Sequence, residues 1–348
     1  MWVTIFSFLG VIIIVILAHE IGHFATAKLT GVKVEEFGIF YPPRLFSIKR
    51  GETIYSINAL PLGGFVKMSG EEDPDEPGSL AAKSIPVRLL VLSSGSLMNL
   101  LLPFLLLSIA FMVPHDALIG QVKVLEVSPD SPAELAGIQP EDILLSINGH
   151  SIQNTNDLQR YLYINLGSEI DLVVKHSDST EEELQLVPRW KPPGEEGPLG
   201  TLVTTVSATQ VKQSYPFWKA IPMGAERCVE ILVLFKNGIV GMFMGALPVD
   251  LRGPVGIAEM SGEFARAGVS PFLEFAAMIS INLGIINLFP LPALDGGRIA
   301  FVLIEFLRRG KRISPRKEWV IHTAGFFLLL AVIMAVTYRD ILRIATGE

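Results

Sequence analysis

The chain has 348 residues, of which 50% are hydrophobic and 18% are charged, and its mean hydropathy is +0.46. Soluble globular domains carry about 25% charged residues, so this composition excludes an ordinary soluble enzyme, a disordered protein and a fibrous protein. The net charge of −7 provides no basic field for binding nucleic acid, and the single cysteine, Cys228, can form no internal disulfide. We therefore predict a membrane protein.

Four apolar segments are long enough to cross a bilayer, whose hydrocarbon core requires about 20 helical residues. We predict these transmembrane helices at about residues 2–27, 89–113, 271–291 and 319–337. A fifth apolar stretch, 221–247, contains several charged residues. It is predicted to be an interfacial or re-entrant amphipathic helix, with a full span as the alternative.

Basic residues set the predicted orientation, because short cytoplasmic loops are enriched in Lys and Arg. The loop between the first two predicted spans is rich in both, and so is the segment 308–317 between the last two. These loops are therefore expected in the cytoplasm. Both termini and the acid-rich segment from His115 to about Ser270 are expected on the outer side.

The outer segment contains a predicted small α/β module at residues 119–190. Apolar alternation predicts strands, Ser131-Pro132 is typical of a helix start, and Asn148-Gly149 of a hairpin turn. The stretch 131–143 resembles the signature of bacterial PDZ domains, with Glu141 where that family usually has Gly. A PDZ-like fold would accept a peptide terminus as an added strand at residues 119–122. A plain folded spacer is the alternative.

The strongest chemical signal is His19-Glu20-Ile21-Gly22-His23, at the end of the first apolar run. Residues i and i+4 lie on one face of a helix, so both imidazoles can bind one metal ion while Glu20 reaches a water on that metal. Two imidazoles and a carboxylate suit zinc. The alternative treats both histidines as polar residues at the membrane interface. Ionisable groups at such depth favour the functional interpretation.

A second signal runs from Asn282 to Gly297. Pro290 and Pro292 exclude a regular helix, and Gly296-Gly297 is expected to free the chain after Asp295. Irregular backbone at membrane depth must be buried in protein or line a water-filled cavity, and a metal would offset the burial of the Asp295 carboxylate. A solvated turn that leaves the membrane is the alternative. Both motifs follow spans that run inward, so both are expected in the cytoplasmic half of the bilayer.

Together these motifs resemble the site-2 protease family of intramembrane zinc metalloproteases. The resemblance is greatest to the bacterial group that carries an outer PDZ domain and cleaves anti-sigma factors, the regulator-of-sigma-E-protease-like group. Further matches are the segments 61–68 and 253–257. Two features depart from the family: the length fits only one PDZ-like domain, and Gly95-Ser96-Leu97-Met98-Asn99 stands where relatives usually place Gly-Pro ahead of the Asn.

The resemblance implies roles for ten residues. His19, His23 and Asp295 would hold one zinc ion per chain, and Glu20 would be the catalytic base. Asn287 and Asn282 would hold the substrate backbone or stabilise the oxyanion. A membrane-associated β-like loop would contact an unwound substrate through four residues: Gly64, Phe65, Val66 and Lys67.

We therefore predict a polytopic α-helical membrane protein with about four transmembrane helices and an inserted extracytoplasmic PDZ-like α/β domain. Residues 1–114 form the first part of the membrane domain, with the β loop at about 33–70. The PDZ-like domain spans 115–190, a linker with the amphipathic segment spans 191–270, and the rest of the membrane domain spans 271–348.

The predicted function is zinc-dependent cleavage of transmembrane segments of single-span, anti-sigma-factor-like proteins in the bacterial cytoplasmic (inner) membrane, within regulated intramembrane proteolysis. The predicted partners are this substrate, the lipid bilayer and a peptide C-terminus at the PDZ-like domain, with no nucleic acid. Two other classes are alternatives: a non-enzymatic membrane scaffold and an ion transporter.

Overall fold

The structure is a computed structural model that describes residues 2–71, 75–194, 196–246 and 252–346. Within these ranges the helices are α1 (Trp2–Leu29), α2 (Ile85–Met112), α3 (Pro132–Leu135), α4 (Thr155–Ile164), α5 (Phe217–Phe243), α6 (Pro254–Ala267), α7 (Val269–Leu288), α8 (Asp295–Leu307) and α9 (Pro315–Thr346). The strands are β1 (Val34–Arg50), β2 (Thr53–Met68), β3 (His115–Val127), β4 (Ile143–Ile147), β5 (His150–Ser151), β6 (Ile170–Lys175), β7 (Glu181–Leu186) and β8 (Thr201–Gln213).

Four of these helices, α1, α2, α7 and α9, are long and apolar enough to cross a membrane. Each overlaps one of the four segments predicted from hydropathy. Among the described residues, α5 does not meet the same requirement of length and hydropathy. The chain is therefore a polytopic membrane protein with a separate sheet-containing part.

The described residues divide into two compact units. One contains residues from 1–110, 217–225 and 251–348, and the other contains residues from 111–216 and 226–250. The first unit holds the four candidate spanning helices, apart from the last residues of α2, together with α6, α8, β1 and β2. The second unit holds the remaining strands with α3, α4 and most of α5.

A stripe of buried residues runs down α1 at a spacing of three to four residues: Val11, Val15, His19, Gly22. This spacing is that of a helix with one face packed on its neighbours. A side chain on Gly22 would overlap the backbone of Ser94, so α1 and α2 cross in close contact there. The crossing brings the end of the α1 stripe against the middle of α2.

Strands β1 and β2 form an antiparallel sheet in which each strand bends. Residues 34–39 pair on one side with residues 54–57 and on the other with residues 64–68, while residues 44–50 pair with residues 53–58. Four extended segments therefore lie side by side, with 64–68 at one edge. A buried cluster that includes Ala27, Val34, Val66, Leu92 and Val302 packs this sheet against α1, α2 and α8.

The second unit contains a sheet of strand order β7-β6-β4-β3-β8, with β5 paired to β4. Its apolar core includes Val122, Leu144, Leu158 and Leu172, none more than 2% exposed. Helices α3 and α4 are capped at their N-termini by Ser131 and Asn154, whose side chains accept a backbone N–H three residues further along. The unit is thus a compact α/β module, and its identity as a PDZ domain stays a prediction.

The structure corrects two sequence-based expectations about this unit. Residues 201–213 fall in the predicted linker but form β8, which pairs with β3 along its whole length. The segment 119–122 is therefore not a free sheet edge: β8 pairs with it on one side, and on the other Gly120 N–H donates to Gln153 O and Val122 pairs with Leu144. The segment 201–213 has no sustained apolar alternation, and its partner strand is far away in sequence.

Candidate metal centre

His19 and His23 lie in α1, and Asp295 is the first residue of α8. The two Nε2 atoms are 3.2 Å apart, and Asp295 Oδ2 lies 3.0 Å from His19 Nε2 and 3.2 Å from His23 Nε2. Their side chains are 11%, 8% and 20% exposed, respectively. Two segments separated by more than 270 residues therefore bring three metal-binding side chains together.

The spacing of these three atoms fits a zinc ion. Tetrahedral zinc with nitrogen and oxygen ligands at about 2.0–2.1 Å holds neighbouring donor atoms about 3.3 Å apart. The three observed separations lie between 3.0 and 3.2 Å. Two imidazoles and one carboxylate leave the fourth position of a catalytic zinc site open.

Hydrogen bonding around His23 points to a cation at the same place. His23 Nδ1 lies 2.8 Å from the carbonyl oxygen of Val91, so this nitrogen carries the proton and donates it. In the neutral ring, Nε2 then presents a lone pair to the Asp295 carboxylate oxygen, which is repulsive unless a positive charge lies between them. A carbonyl partner on the far nitrogen is the usual arrangement for a metal-binding histidine.

His19 has a comparable partner in Asn99 of α2. The side-chain amide of Asn99 is buried, and its nitrogen lies 3.4 Å from His19 Nδ1, while its oxygen has no hydrogen-bond partner in the part of the chain that the structure describes. Amide nitrogen and oxygen are interchangeable by a half turn, and the turned amide would accept the Nδ1–H of His19 and leave Nε2 free for a metal. From the sequence, Asn99 was of interest only because relatives usually have Gly-Pro ahead of this Asn. Its spacing of four residues from Gly95, which places both on one face of α2, was the signal that could have found it.

The loop from Phe289 to Leu294 delivers Asp295 to this position. Helix α7 ends at Leu288, as the two prolines predict, but Gly296 and Gly297 do not free the chain as expected. They form the first turn of α8, where side chains would overlap the carbonyl oxygens of Phe289 and Leu291, respectively. The glycines are needed for close approach, because the loop folds back over the helix start.

A cavity of about 660 Å³ opens beside the three ligands. Glu20 lines it, and a side chain on Gly64 would come within 3.0 Å of Glu20 Cγ. The four predicted substrate contacts, Gly64 to Lys67, line the same cavity. Lys67 forms an ion pair of 2.8 Å with Glu35, and the hydrogen bond of this pair raises the pKa of Lys67 and lowers that of Glu35.

Asn282 and Asn287 are placed differently. Both lie in α7, and neither is among the described residues that line the cavity. Their proposed contact with substrate therefore stays a prediction of the family resemblance.

Helix α9 lines the cavity with residues that sequence reasoning did not select. Trp319, His322, Thr323 and Phe326 face it at the spacing i, i+3, i+4 and i+7, which is one stripe of a helix. The only available signal was a histidine and a tryptophan near the start of the last apolar run. Tyr41 also lines the cavity.

Comparison with known proteins gives matches along almost the whole chain. The profile of peptidase family M50 matches residues 7–332. A Clostridium perfringens protein with a provisional zinc-metalloprotease name is 37% identical over 330 residues, which are 94% of this chain and 95% of that protein. The zinc metalloprotease RasP of Oceanobacillus iheyensis is 29% identical, with 98% of this chain and 99% of that protein covered. By this extent of similarity, the chain belongs to peptidase family M50, the site-2 protease family.

Proposed function

We propose that this zinc metalloendopeptidase hydrolyses peptide bonds in the transmembrane segments of single-span, anti-sigma-factor-like proteins. The observation that carries the proposal is the meeting of His19, His23 and Asp295 on the wall of a cavity that also holds Glu20. Helix α1, which carries both histidines, is a candidate membrane span, and the loop that leads to Asp295 follows another candidate span, α7. The site would therefore be reached by a segment that is itself within the bilayer.

His19, His23 and Asp295 would hold the metal, and Glu20 would move the proton. A zinc ion so held polarises a carbonyl and lowers the pKa of water toward about 7. Glu20 follows His19 by one residue and lies on the cavity wall, so its carboxylate can take a proton from the attacking water and deliver it to the leaving amine nitrogen. Gly64 leaves room for Glu20, because any side chain at that position would press on it.

The edge segment 64–68 supports substrate binding in an extended form. One side of this segment pairs with residues 34–39, and within the described chain no strand pairs with its other side, while its residues line the cavity. A helical substrate keeps its carbonyls in its own hydrogen bonds and must unwind before attack. Addition of the unwound segment as a further strand would replace those bonds.

The same proposal includes a place in the cell. The basic loops favour a cytoplasmic position for the sheet of β1 and β2 and for the loop 308–314, in a bacterial cytoplasmic membrane. The α/β module would then lie outside, as a PDZ-like domain that binds a peptide C-terminus or excludes bulky substrates.

The test compares wild type with Glu20→Gln and Asp295→Asn, using metal analysis and cleavage of a single-span test substrate. Glu20→Gln is expected to retain about one zinc per chain and to lose cleavage by about 10²–10⁴-fold, because only the proton acceptor is removed. Asp295→Asn is expected to bind zinc much more weakly and to lose cleavage, whereas Asp116→Asn, on the exposed surface, is expected to change neither. Full zinc binding by Asp295→Asn, or full cleavage by Glu20→Gln, would contradict the proposal.

A further inference from the structure

Helix α9 touches the loop that carries Asp295 at two neighbouring positions, and we propose that His322 is a positioning residue that holds this loop in the geometry required for metal binding. The inference rests on the proposed ligand set of His19, His23 and Asp295. It concerns a residue 27 positions beyond Asp295, in a different helix.

The first contact is a hydrogen bond from the loop backbone to the histidine ring. The N–H of Ala293 donates to His322 Nδ1 over 3.0 Å. Ala293 has a φ of 76°, in the left-handed region that residues with a side chain rarely adopt. A residue with a side chain is strained in that conformation, which persists only where its surroundings fix it. The hydrogen bond to His322 is such a constraint, two residues before the carboxylate ligand.

The ring of His322 is itself fixed by its neighbours. Because Nδ1 accepts the Ala293 N–H, the ring proton lies on Nε2, which is buried and has no hydrogen-bond partner among the described residues. The ring packs at 5.4 Å from the Phe301 ring, centre to centre, and its Cε1 would be 3.2 Å from a side chain on Gly297. The imidazole is thus held between the loop and the first turns of α8.

The second contact lies one turn further along α9. Gly325 meets Pro292 so closely that a side chain on Gly325 would overlap the Pro292 ring. His322 and Gly325 are three residues apart and therefore share one face of the helix. Two residues one turn apart on α9 thus contact residues 292 and 293, which lie just before Asp295 in the chain.

Asp295 needs such support more than the other two ligands do. His19 and His23 share one helix, and Asn99 and Val91 of α2 contact their far nitrogens. Asp295 comes from another segment, and zinc tolerates deviations of only about 0.2 Å in its ligand distances. Loss of a residue that orients a metal ligand typically lowers metal affinity by about 10–100-fold. His322 would fix the position of Asp295, as Val91 and Asn99 fix the rings of the two histidines.

The test measures zinc release from the purified full chain to a competing chelator, without any assay of cleavage. His322→Leu removes the acceptor and is expected to weaken zinc binding by about 10–100-fold. His322→Asn places an amide oxygen near the position of Nδ1 and is expected to restore binding to within about threefold of wild type, because that oxygen can accept the Ala293 N–H. Equal losses in the two variants, or none in His322→Leu, would overturn the inference.

Two further variants separate positioning from general damage to the fold. Gly325→Ala is expected to weaken zinc binding as His322→Leu does, although the histidine is intact, whereas Gly238→Ala, where a side chain meets open space, is expected to change nothing. If His322→Leu does not fold, Gly325→Ala decides alone: wild-type zinc binding in that variant contradicts the inference.

A combination with Asp295→Asn distinguishes this inference from the proposal on which it rests. In the Asp295→Asn background, His322→Leu is expected to have no added effect, because its whole action passes through the missing carboxylate. A further tenfold loss of zinc affinity in the double variant would show that His322 does not act through Asp295. Wild-type zinc affinity in Asp295→Asn itself would refute the ligand set, whereas weak binding there with normal binding in His322→Leu would refute only the role of His322.

Discussion

Glu141 is the residue at which the sequence departs from the PDZ-like signature, and it has a φ of 80°. Its N–H donates to Val124 O, and its side chain pairs with Lys123 on the surface. A side chain in the left-handed region is strained by about 1–2 kcal/mol, and glycine removes that strain but loses about 0.5–1 kcal/mol through its freer unfolded chain. The usual glycine of that signature is therefore explained by the backbone at this turn.

We expect Glu141→Gly to stabilise the α/β unit by about 0.5–1 kcal/mol. Glu141→Ala is the matched control, because it removes the same ion pair and keeps the strain, and it should give no gain. Amide hydrogen exchange of β3 and β4 in the full chain measures the stability of the α/β unit in both variants. The explanation is wrong if glycine and alanine have the same effect.

The metal ligands show how far single residues can be predicted from sequence. His19 and His23 are four residues apart in one helix, so their shared face follows from helical geometry alone. Asp295 could be selected from its Pro- and Gly-rich surroundings and the cost of burying its carboxylate, but its place in one ligand set with the two histidines came from the family resemblance, since no local pattern joins it to α1. Asn99 and His322 acquire their importance from contacts with residues 80 and 29 positions away. Such contacts leave no periodic signal in the chain.

At the scale of elements, α8 is held at both ends. Its first residue is Asp295, and in its last turns Glu305 accepts from Arg88 Nη1 over 2.7 Å and from Arg312 Nε over 3.2 Å. Arg312 also donates to the carbonyl oxygen of Ala81. Glu305 and Arg88 are 9% and 12% exposed, so this ion pair ties α8 to the start of α2 in a largely buried place.

Glu305→Gln keeps the size of the side chain and removes its charge. Breaking one partner of a buried ion pair costs about 3–5 kcal/mol, because the other charge stays buried without compensation. We expect a loss of about 3 kcal/mol in the free energy of unfolding, measured by denaturation of the purified full chain in detergent. Glu52→Gln breaks the exposed pair with Lys28 and should cost less than about 1 kcal/mol. Similar losses for both variants would show that the pair around Glu305 behaves as a surface pair.

Elements with a strong local pattern could be predicted, and those that depend on distant partners could not. The four apolar helices follow from hydropathy, β6 from alternation that matches its buried positions, and β4 from a short apolar run closed by Asn148-Gly149. Strand β8 was missed because its stability comes from pairing with β3, more than 70 residues earlier. The start of α8 at Asp295 was also missed, because Gly296-Gly297 usually indicates a break and here permits close packing.

At the scale of the whole molecule, the extent of β8 determines which residues a deletion must include to remove the sheet of the α/β unit. His115 and Gln213 are paired at the ends of β3 and β8, so their Cα atoms are neighbours across an antiparallel ladder, about 4.5–5.5 Å apart. A deletion of residues 116–212 closed by a short Gly-Ser linker removes the sheet together with its last strand. A deletion that stopped at residue 190 would leave β8 without its partner.

The last prediction concerns the proposed exclusion of bulky substrates by this unit. If the α/β unit excludes them, the 116–212 deletion should cleave a single-span substrate that retains a large outer domain at least about tenfold faster than wild type, since a tenfold rate corresponds to only about 1.4 kcal/mol of barrier. A substrate already shortened outside the membrane should be cleaved at similar rates by both proteins. That second substrate, together with zinc content, is the control that the membrane unit still folds. If the deletion cleaves the shortened substrate normally but leaves the bulky one intact, exclusion by size is wrong, and the unit acts instead by binding a partner that the bulky substrate also needs.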